Sequence, residues 1–125
     1  MFSGGIDSMV LARLADIHLP AGEPIDLLNV AFGVEAAVAP DRLTGLAGVE
    51  ELRRLSPRRD FRLIEIDITL AELLDARSRL IELLLPASTV MDVNIGAALW
   101  FGARGVGVLR PQAQSLSSTC LLYTS

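Results

Sequence analysis

The sequence contains few of the residues on which thiolate, zinc or nucleophilic cysteine chemistry depends. Its 125 residues include one cysteine, Cys120, one histidine, His18, and no lysine among eleven basic residues. A single cysteine cannot form an internal disulfide, and one Cys with one His cannot supply the ligand set of a zinc site. We therefore expect a cytoplasmic chain, in a reducing compartment, with no structural zinc ion.

Long apolar runs and an excess of positive charge are also missing. No apolar stretch approaches the roughly 20 residues that a membrane-spanning helix needs. The net charge is −4 and no basic stripe is present, which disfavours nucleic acid as a partner. The sequence therefore predicts small-molecule partners, and neither a membrane nor a nucleic acid.

The apolar residues that are present follow an alternating order of strands and helices. They make up 51% of the chain, which is enough for the core of one domain. Short apolar runs at 25–32 and 61–68 predict strands, and helical spacing predicts helices at 9–17, 43–55, 70–85 and 93–105. This alternation predicts an α/β fold, a Rossmann-like three-layer sandwich with a parallel sheet and helices on both faces.

Several local patterns refine this outline. The first helix has an apolar stripe of Met9, Val10, Leu14 and Ile17, which we expect to face the core. Thr69 with Glu72 predicts a capping box, and Ser88 or Asp92 is expected to cap the last helix. That helix carries small residues at 96–98, which predict close packing on a neighbour. The polar residues of strand 61–68 indicate a position nearer a sheet edge.

A loop with two glycines, Ser3-Gly4-Gly5-Ile6-Asp7-Ser8, lies directly before the first predicted helix. Free backbone N–H groups and the helix dipole favour an anion there, and glycines let the main chain approach a phosphate closely. Ser3 and Ser8 add hydroxyl donors. A carboxylate at Asp7 would repel phosphate unless Mg²⁺ bridges the two, so we expect Mg²⁺ at Asp7. The alternative is a tight turn in which Asp7 or Ser8 caps the helix.

The spacing of this loop differs from G-x-x-x-x-G-K-S/T and from G-x-G-x-x-G, which disfavours a P-loop NTPase and hydride transfer. The stretch FSGGIDSMVLA resembles the pyrophosphate loop of the ATP pyrophosphatases, which include asparagine, NAD and GMP synthetases and tRNA-modifying enzymes. Within that group, three further stretches are similar to the eukaryotic asparagine synthetase domain-containing family: DLLNVAF at 26–32, PDR at 40–42 with FRLIEID at 61–67, and MDVNIGAALWFGARG at 91–105. The resemblance covers about residues 1–107.

The resemblance implies an ATP-dependent amide ligase of asparagine biosynthesis. In such enzymes a carboxylate of aspartate or a similar substrate attacks the α-phosphorus of ATP, pyrophosphate leaves, and ammonia displaces AMP from the acyl-adenylate. The loop would hold pyrophosphate, Asp7 would contribute to Mg²⁺ binding, and the backbone at Phe2 and Phe32 would flank adenine. No catalytic residue is assigned, and the expected nucleotide-binding residues are Phe2, Ser3, Gly4, Gly5, Asp7, Ser8 and Phe32.

Two features depart from that family. No Asp or Glu follows Asp92, so its second acidic motif is missing, and only Met1 and Phe2 stand where a buried strand should precede the loop. We therefore expect residues 1–110 to be a partial, inactive domain truncated at both ends. We expect residues 111–125 to be an unstructured tail, whose last six residues, CLLYTS, resemble a translated sequencing adapter.

The sequence leaves other functions and other residue roles open. A non-catalytic nucleotide-binding or interaction module is one alternative, and another ATP pyrophosphatase, of the NAD synthetase or tRNA-modifying type, is a second. Asp41 and Arg42 are expected in a loop, as a turn pair or as site residues. The remaining candidates have structural interpretations. His18 is expected at the surface, and Trp100 and Phe101 in the core. Asp92 is expected to cap a helix, and a group of arginines is expected at a helix end: Arg53, Arg54, Arg58 and Arg59.

Overall fold

The computed structural model describes residues 1–33, 35–87, 89–112 and 122–124. Ser88, Cys120 and most of the predicted tail lie outside these residues. None of the helices in the described part has both the length and the apolar composition needed to cross a bilayer. The elements in chain order are α1 (Ile6–His18), β1 (Ile25–Phe32), a 3-10 turn (Ala36–Val38), α2 (Pro40–Leu55), β2 (Phe61–Ile68), α3 (Leu70–Leu84), α4 (Val90–Ala103), β3 (Val106–Leu109) and β4 (Leu122–Thr124).

The sheet has the order β1-β2-β3-β4 and contains both parallel and antiparallel pairs. β1 and β2 are parallel, with Ile25 opposite Phe61 and Phe32 opposite Ile68. β3 is antiparallel to β2, and β4 to β3. One helix lies between β1 and β2, whereas two lie between β2 and β3, so the chain enters β3 from the opposite end. The α/β fold is confirmed, and the parallel arrangement holds for β1 with β2.

β2 is an interior strand of the described sheet, so the expectation that it lies near an edge was wrong. Its polar side chains are accommodated by ion pairs, such as Arg62 with Asp26 at 2.7 Å. β3, on its other side, was not predicted, because the last helix was expected to end at 105 and no strand was assigned after it. A Cβ at Gly107 would lie 2.8 Å from Ile64 Cγ2 and 2.9 Å from the Glu65 carbonyl oxygen. Glycine therefore allows β3 to pack closely against β2.

Helices cover both faces of the sheet, as predicted. One core cluster joins α1 and α2 to the strands; its buried members are Phe2, Ala12, Ile25, Leu27, Val49, Leu52, Phe61 and Leu63. The second joins α3 and α4 to the strands, with Val30, Ile66, Ile68 and Phe101 buried. The core role expected for Phe101 is confirmed, and Trp100 packs on the same cluster while partly exposed.

Of the apolar stripe predicted for α1, Met9 packs on the core and the other three residues face solvent. Val10, Leu14 and Ile17 are 51%, 46% and 60% exposed, and Ala12 is the buried residue of this helix. Met9 and Ala15 pack on the core beside Ala12. α1 approaches α2 closely at Met9, since a Cβ on Gly48 would lie 3.0 Å from Met9 Sδ.

α3 and α4 form a tightly packed pair, each with a complete capping box. The predicted box of Thr69 and Glu72 is present at α3. At α4 the cap is Thr89, and Asp92 is its reciprocal partner at the third helical position. Close packing of α4 is confirmed by Gly96, where a Cβ would lie 2.6 Å from Leu84 Cδ1.

Candidate functional site

The glycine loop is anchored beside β1. The Phe2 N–H donates to the Leu28 carbonyl at 2.6 Å, and Asn29 Nδ2 donates to the Phe2 carbonyl at 2.9 Å. The chain then turns through Ser3, Gly4 and Gly5 and enters α1 at Ile6. The loop therefore occupies the position at a helix N-terminus that the sequence predicted.

Gly4 lets the loop lie directly on α2. Its φ of +82° is in the left-handed region, which side chains disfavour. A Cβ at this position would lie 2.1 Å from the Thr44 carbonyl oxygen and 2.8 Å from the Gly45 nitrogen. These contacts are with backbone atoms that cannot rotate away, so any side chain at Gly4 would displace the loop.

The N-terminus of α1 has no side-chain cap, in contrast to α3 and α4. Its N-cap residue is Gly5. The Ser3 and Ser8 hydroxyls lie 3.3 Å apart and accept hydrogen bonds from the Gly5 and Gly4 N–H groups at 3.2 and 3.1 Å. Two hydroxyls and the first-turn N–H groups therefore converge on one helix end, which is a suitable arrangement for binding an anion.

A cavity of about 450 Å³ lies beside the loop, near the carboxyl end of β1. Its lining is mainly apolar, with a few polar side chains from different elements. In the α/β class, ligands bind at the carboxyl ends of the strands. The lining residues are Met1, Phe2, Ser3, Asn29, Val30, Phe32, Asp41, Leu73, Asn94, Ile95, Ala97 and Ala98.

The cavity brings together three of the predicted site residues, Phe2, Ser3 and Phe32. Phe2 is buried, whereas Phe32 is half-buried and meets Phe101 edge to face with ring centroids 6.5 Å apart. The other four, Gly4, Gly5, Asp7 and Ser8, follow in the loop and first turn of α1 and do not line the cavity. They form the helix-end part of the candidate site.

Asp41 and Arg42 lie in the first turn of α2, so the expected loop position was wrong. Pro40 begins the helix earlier than predicted, because proline suits the first helical position. The Asp41 side chain is exposed and lines the cavity, whereas the Arg42 side chain is fully buried. Sequence analysis missed Asn29 and Asn94 as lining residues. The sequence signal for Asn29 was a lone asparagine within the mainly apolar strand β1.

The described residues contain no group of three or more His, Cys, Asp or Glu side chains that could hold a metal ion. Asp7 is exposed in the first turn of α1, beside the uncapped helix end. A carboxylate oxygen is a suitable ligand for Mg²⁺, which usually keeps several waters and binds substrate phosphates. Asp7 fits an ion shared with a phosphate ligand, and it does not form a protein-only metal site.

The far end of α1 is held by an arginine from beyond α2. Arg59 Nε bonds to Asp16 Oδ1 at 2.7 Å, and its other nitrogens donate to the carbonyls of Asp16, Leu19, Pro20 and Glu23. The Arg59 hydrogen bond, with further bonds from Ser56 and Arg13, lowers the pKa of Asp16. Arg59 therefore has a structural role at the end of α1, and the exposed His18 is the last residue of that helix.

Asparagine synthetase domain-containing proteins of animals and yeast are similar to this chain. Asparagine synthetase domain-containing protein 1 of Homo sapiens is 40% identical over 153 aligned positions, covering 90% of this chain and 24% of the human protein. The Gallus gallus protein is 38% identical, covering 91% of the chain and 24% of its own length. A Saccharomyces cerevisiae relative is 35% identical, with 87% and 23% covered. The chain thus spans about a quarter of these curated relatives.

No protein-family model matches the chain. No solved structure matches it either.

Proposed function

This chain belongs to the same family as the asparagine synthetase domain-containing proteins over about nine tenths of its length, and we propose that its loop and cavity bind Mg-ATP. In the longer protein, this site would serve adenylation of the carboxylate of aspartate, or of a similar substrate, and amide formation with ammonia. The observation that carries the proposal is the uncapped α1 N-terminus, with its glycine loop, beside the cavity.

The loop supports binding of the β- and γ-phosphates. An anion can accept hydrogen bonds from the Gly4 and Gly5 N–H groups, which now donate to the Ser8 and Ser3 hydroxyls, and from those hydroxyls themselves. The first-turn N–H groups of α1 are further donors. Gly4 keeps this backbone on α2, where a side chain would move it. Mg²⁺, held by Asp7 and the phosphates, would neutralise charge on the departing pyrophosphate.

The cavity supports binding of the adenosine part. A volume of about 450 Å³ is in the range of small-molecule sites, and an apolar lining with a few polar groups is typical of them. Phe2 and Phe32 lie on its wall, as the resemblance implied for the residues flanking adenine. Asp41 and Asn94 offer hydrogen-bonding groups for the ribose or the base.

The chemistry assigned to this site is positioning and charge neutralisation. A carboxylate oxygen of the substrate forms a bond to the α-phosphorus as the bond to pyrophosphate breaks, and ammonia then replaces AMP at the acyl carbon. The loop holds the leaving pyrophosphate in line. The chain spans about a quarter of its curated relatives, so we assign it nucleotide binding and assign the complete reaction to the longer protein.

The first test uses Asp7→Asn. Loss of the carboxylate should weaken binding of Mg-ATP about ten-fold, because a charged metal ligand is removed. Binding of ATP in EDTA should change much less, since no ion then bridges Asp7 and the phosphates. Isothermal titration calorimetry with Mg²⁺ and with EDTA measures both affinities.

Asp75→Asn is the matched control, because Asp75 is exposed on α3 and its loss changes the net charge equally. It should leave both affinities unchanged. An equal loss of affinity with and without Mg²⁺ in Asp7→Asn would rule out the metal role. Absence of any ATP binding by the unmodified chain would rule out the nucleotide site.

The second candidate function is a non-catalytic nucleotide-binding or interaction module. An assay for AMP release from ATP, with aspartate and ammonia, distinguishes the two functions in the longer protein: AMP formation supports the ligase, and ATP binding without AMP supports the module.

A further inference from the structure

Asn29 and Arg42 are the buried polar side chains of the described residues, at 0% and 1% exposure. Neither belongs to the glycine loop. Burying an amide and a guanidinium is unfavourable unless their polar atoms are hydrogen-bonded. Their position next to the loop therefore calls for a specific set of partners.

Arg42 is held between two strands. Its Nη2 bonds to Asp67 Oδ1 at 2.6 Å, its Nη1 is 3.5 Å from Glu65 Oε2, and its Nε donates to Asn29 Oδ1 at 2.7 Å. Both acidic partners are on β2, and Asn29 is on β1. Arg42 therefore ties the start of α2 to the paired strands.

These contacts determine the orientation of the Asn29 amide. Arginine can only donate hydrogen bonds, so the amide oxygen must face Arg42. The amide nitrogen is then directed to two acceptors, the Phe2 carbonyl at 2.9 Å and the Asp41 carbonyl at 3.1 Å. Both donor hydrogens of the amide are used in this arrangement.

The two acceptors belong to two different elements that line the cavity. Phe2 leads into the glycine loop, and Asp41 is in the first turn of α2. Space at this point is restricted, because a Cβ on Gly45 would lie 2.4 Å from Asn29 Nδ2. Asn29 is therefore a crosslink that sets the distance between the loop and α2.

We propose that Asn29 is a positioning residue of the nucleotide site, oriented by Arg42, which holds the loop and the first turn of α2 at the separation that ATP requires. This inference rests on the proposed function. It predicts a distinction between ligands, because ATP would contact the loop and the first turn of α2, whereas inorganic pyrophosphate would contact the loop alone.

The test is Asn29→Asp, which keeps the shape and the acceptor facing Arg42 but loses both donors. Its affinity for Mg-ATP should fall about ten-fold, and its affinity for Mg-pyrophosphate should fall at most about three-fold. Calorimetry gives both values at a temperature where circular dichroism shows a folded chain. Asp16→Asn is the control, since it breaks a buried pair at the far end of α1 and should leave both affinities unchanged.

Equal loss of both affinities in Asn29→Asp would show a general structural effect and overturn the inference, as would wild-type affinity for ATP. If Asn29→Asp fails to fold, Arg42→Lys tests the positioning role, because it keeps the charge toward β2 but removes the Nε donor. It should weaken ATP binding about three-fold more than pyrophosphate binding, and an unchanged ratio of the two affinities overturns the inference.

An unmodified chain that binds no ATP refutes the proposed function and the positioning role together. If the unmodified chain binds ATP and the variants bind it with the same affinity, the positioning role alone is refuted.

Discussion

Among single residues, Asp16 should make the stability of the protein depend on acidic pH. Hydrogen bonds from Arg59, Ser56 and Arg13 lower its pKa below the ordinary 3.8. The folded state therefore binds fewer protons than the unfolded state between the two pKa values. The stabilisation is fully present above pH 3.8 and should be lost as the pH falls through the lowered pKa of the folded state.

Urea unfolding at a series of pH values from 6 to 2 measures this dependence. Asp16→Asn should be less stable at pH 6 by about 2 kcal/mol, and its free energy of unfolding should fall less steeply in acid. Glu72, whose pKa is lowered by the Thr69 N–H, leaves a residual slope in both proteins. Identical slopes for the two proteins below pH 4 would contradict the assignment to Asp16.

The residues near the site differ in how far the sequence could identify them. The glycine loop is a contiguous pattern, so its position at the start of α1 could be predicted from neighbouring residues alone. Asn29 and Arg42 are separated along the chain, and Arg42 meets Asp67 across α2 and β2. Their burial depends on strand pairing that no local pattern records, so neither was predicted as a buried residue.

At the scale of elements, the two capping boxes should contribute measurably to stability. Thr69→Ala and Thr89→Ala each remove the side-chain acceptor for a first-turn N–H group. We expect each to lower the free energy of unfolding by about 1 kcal/mol. Ser78→Ala, an exposed position within α3, is the control and should change it by less than about 0.5 kcal/mol. Chemical denaturation measures all three, and a Thr69→Ala value equal to the control would contradict the role of the cap.

The strands β1 and β2 were predicted with their observed bounds, because mainly apolar segments between turn residues are strong local signals. β3 was missed because it is four residues long and contains Gly107, which lacks a Cβ and so allows close contact with β2. The face of α1 was also predicted wrongly. Met9 of the expected stripe packs on the core with Ala12 and Ala15, but its other members do not, because the buried face is set by contact with α2, which is distant in sequence.

At the scale of the whole molecule, the exposed apolar face of α1 should promote association. Val10, Leu14 and Ile17 are about half exposed or more, on successive turns of one helix, and contiguous apolar patches are typical of interaction sites or aggregation. The mean mass in analytical ultracentrifugation should therefore rise with protein concentration. Leu14→Glu should lower this association at least about three-fold, by placing a charge in the patch.

Ser78→Glu adds the same charge on α3, outside the α1 face, and serves as the control. It should associate as the unmodified chain does. Association that is equally strong in Leu14→Glu would show that another surface is responsible.

The crosslink through Asn29 and Arg42 also affects when the site can form during synthesis. Phe2 and the loop leave the ribosome first, but Arg42 is held in place by Asp67 and Glu65, which are translated much later. At about 5–20 residues per second, this delay amounts to several seconds. A nascent chain should therefore carry its glycine loop without its final anchor until β2 emerges, and become able to retain nucleotide only then.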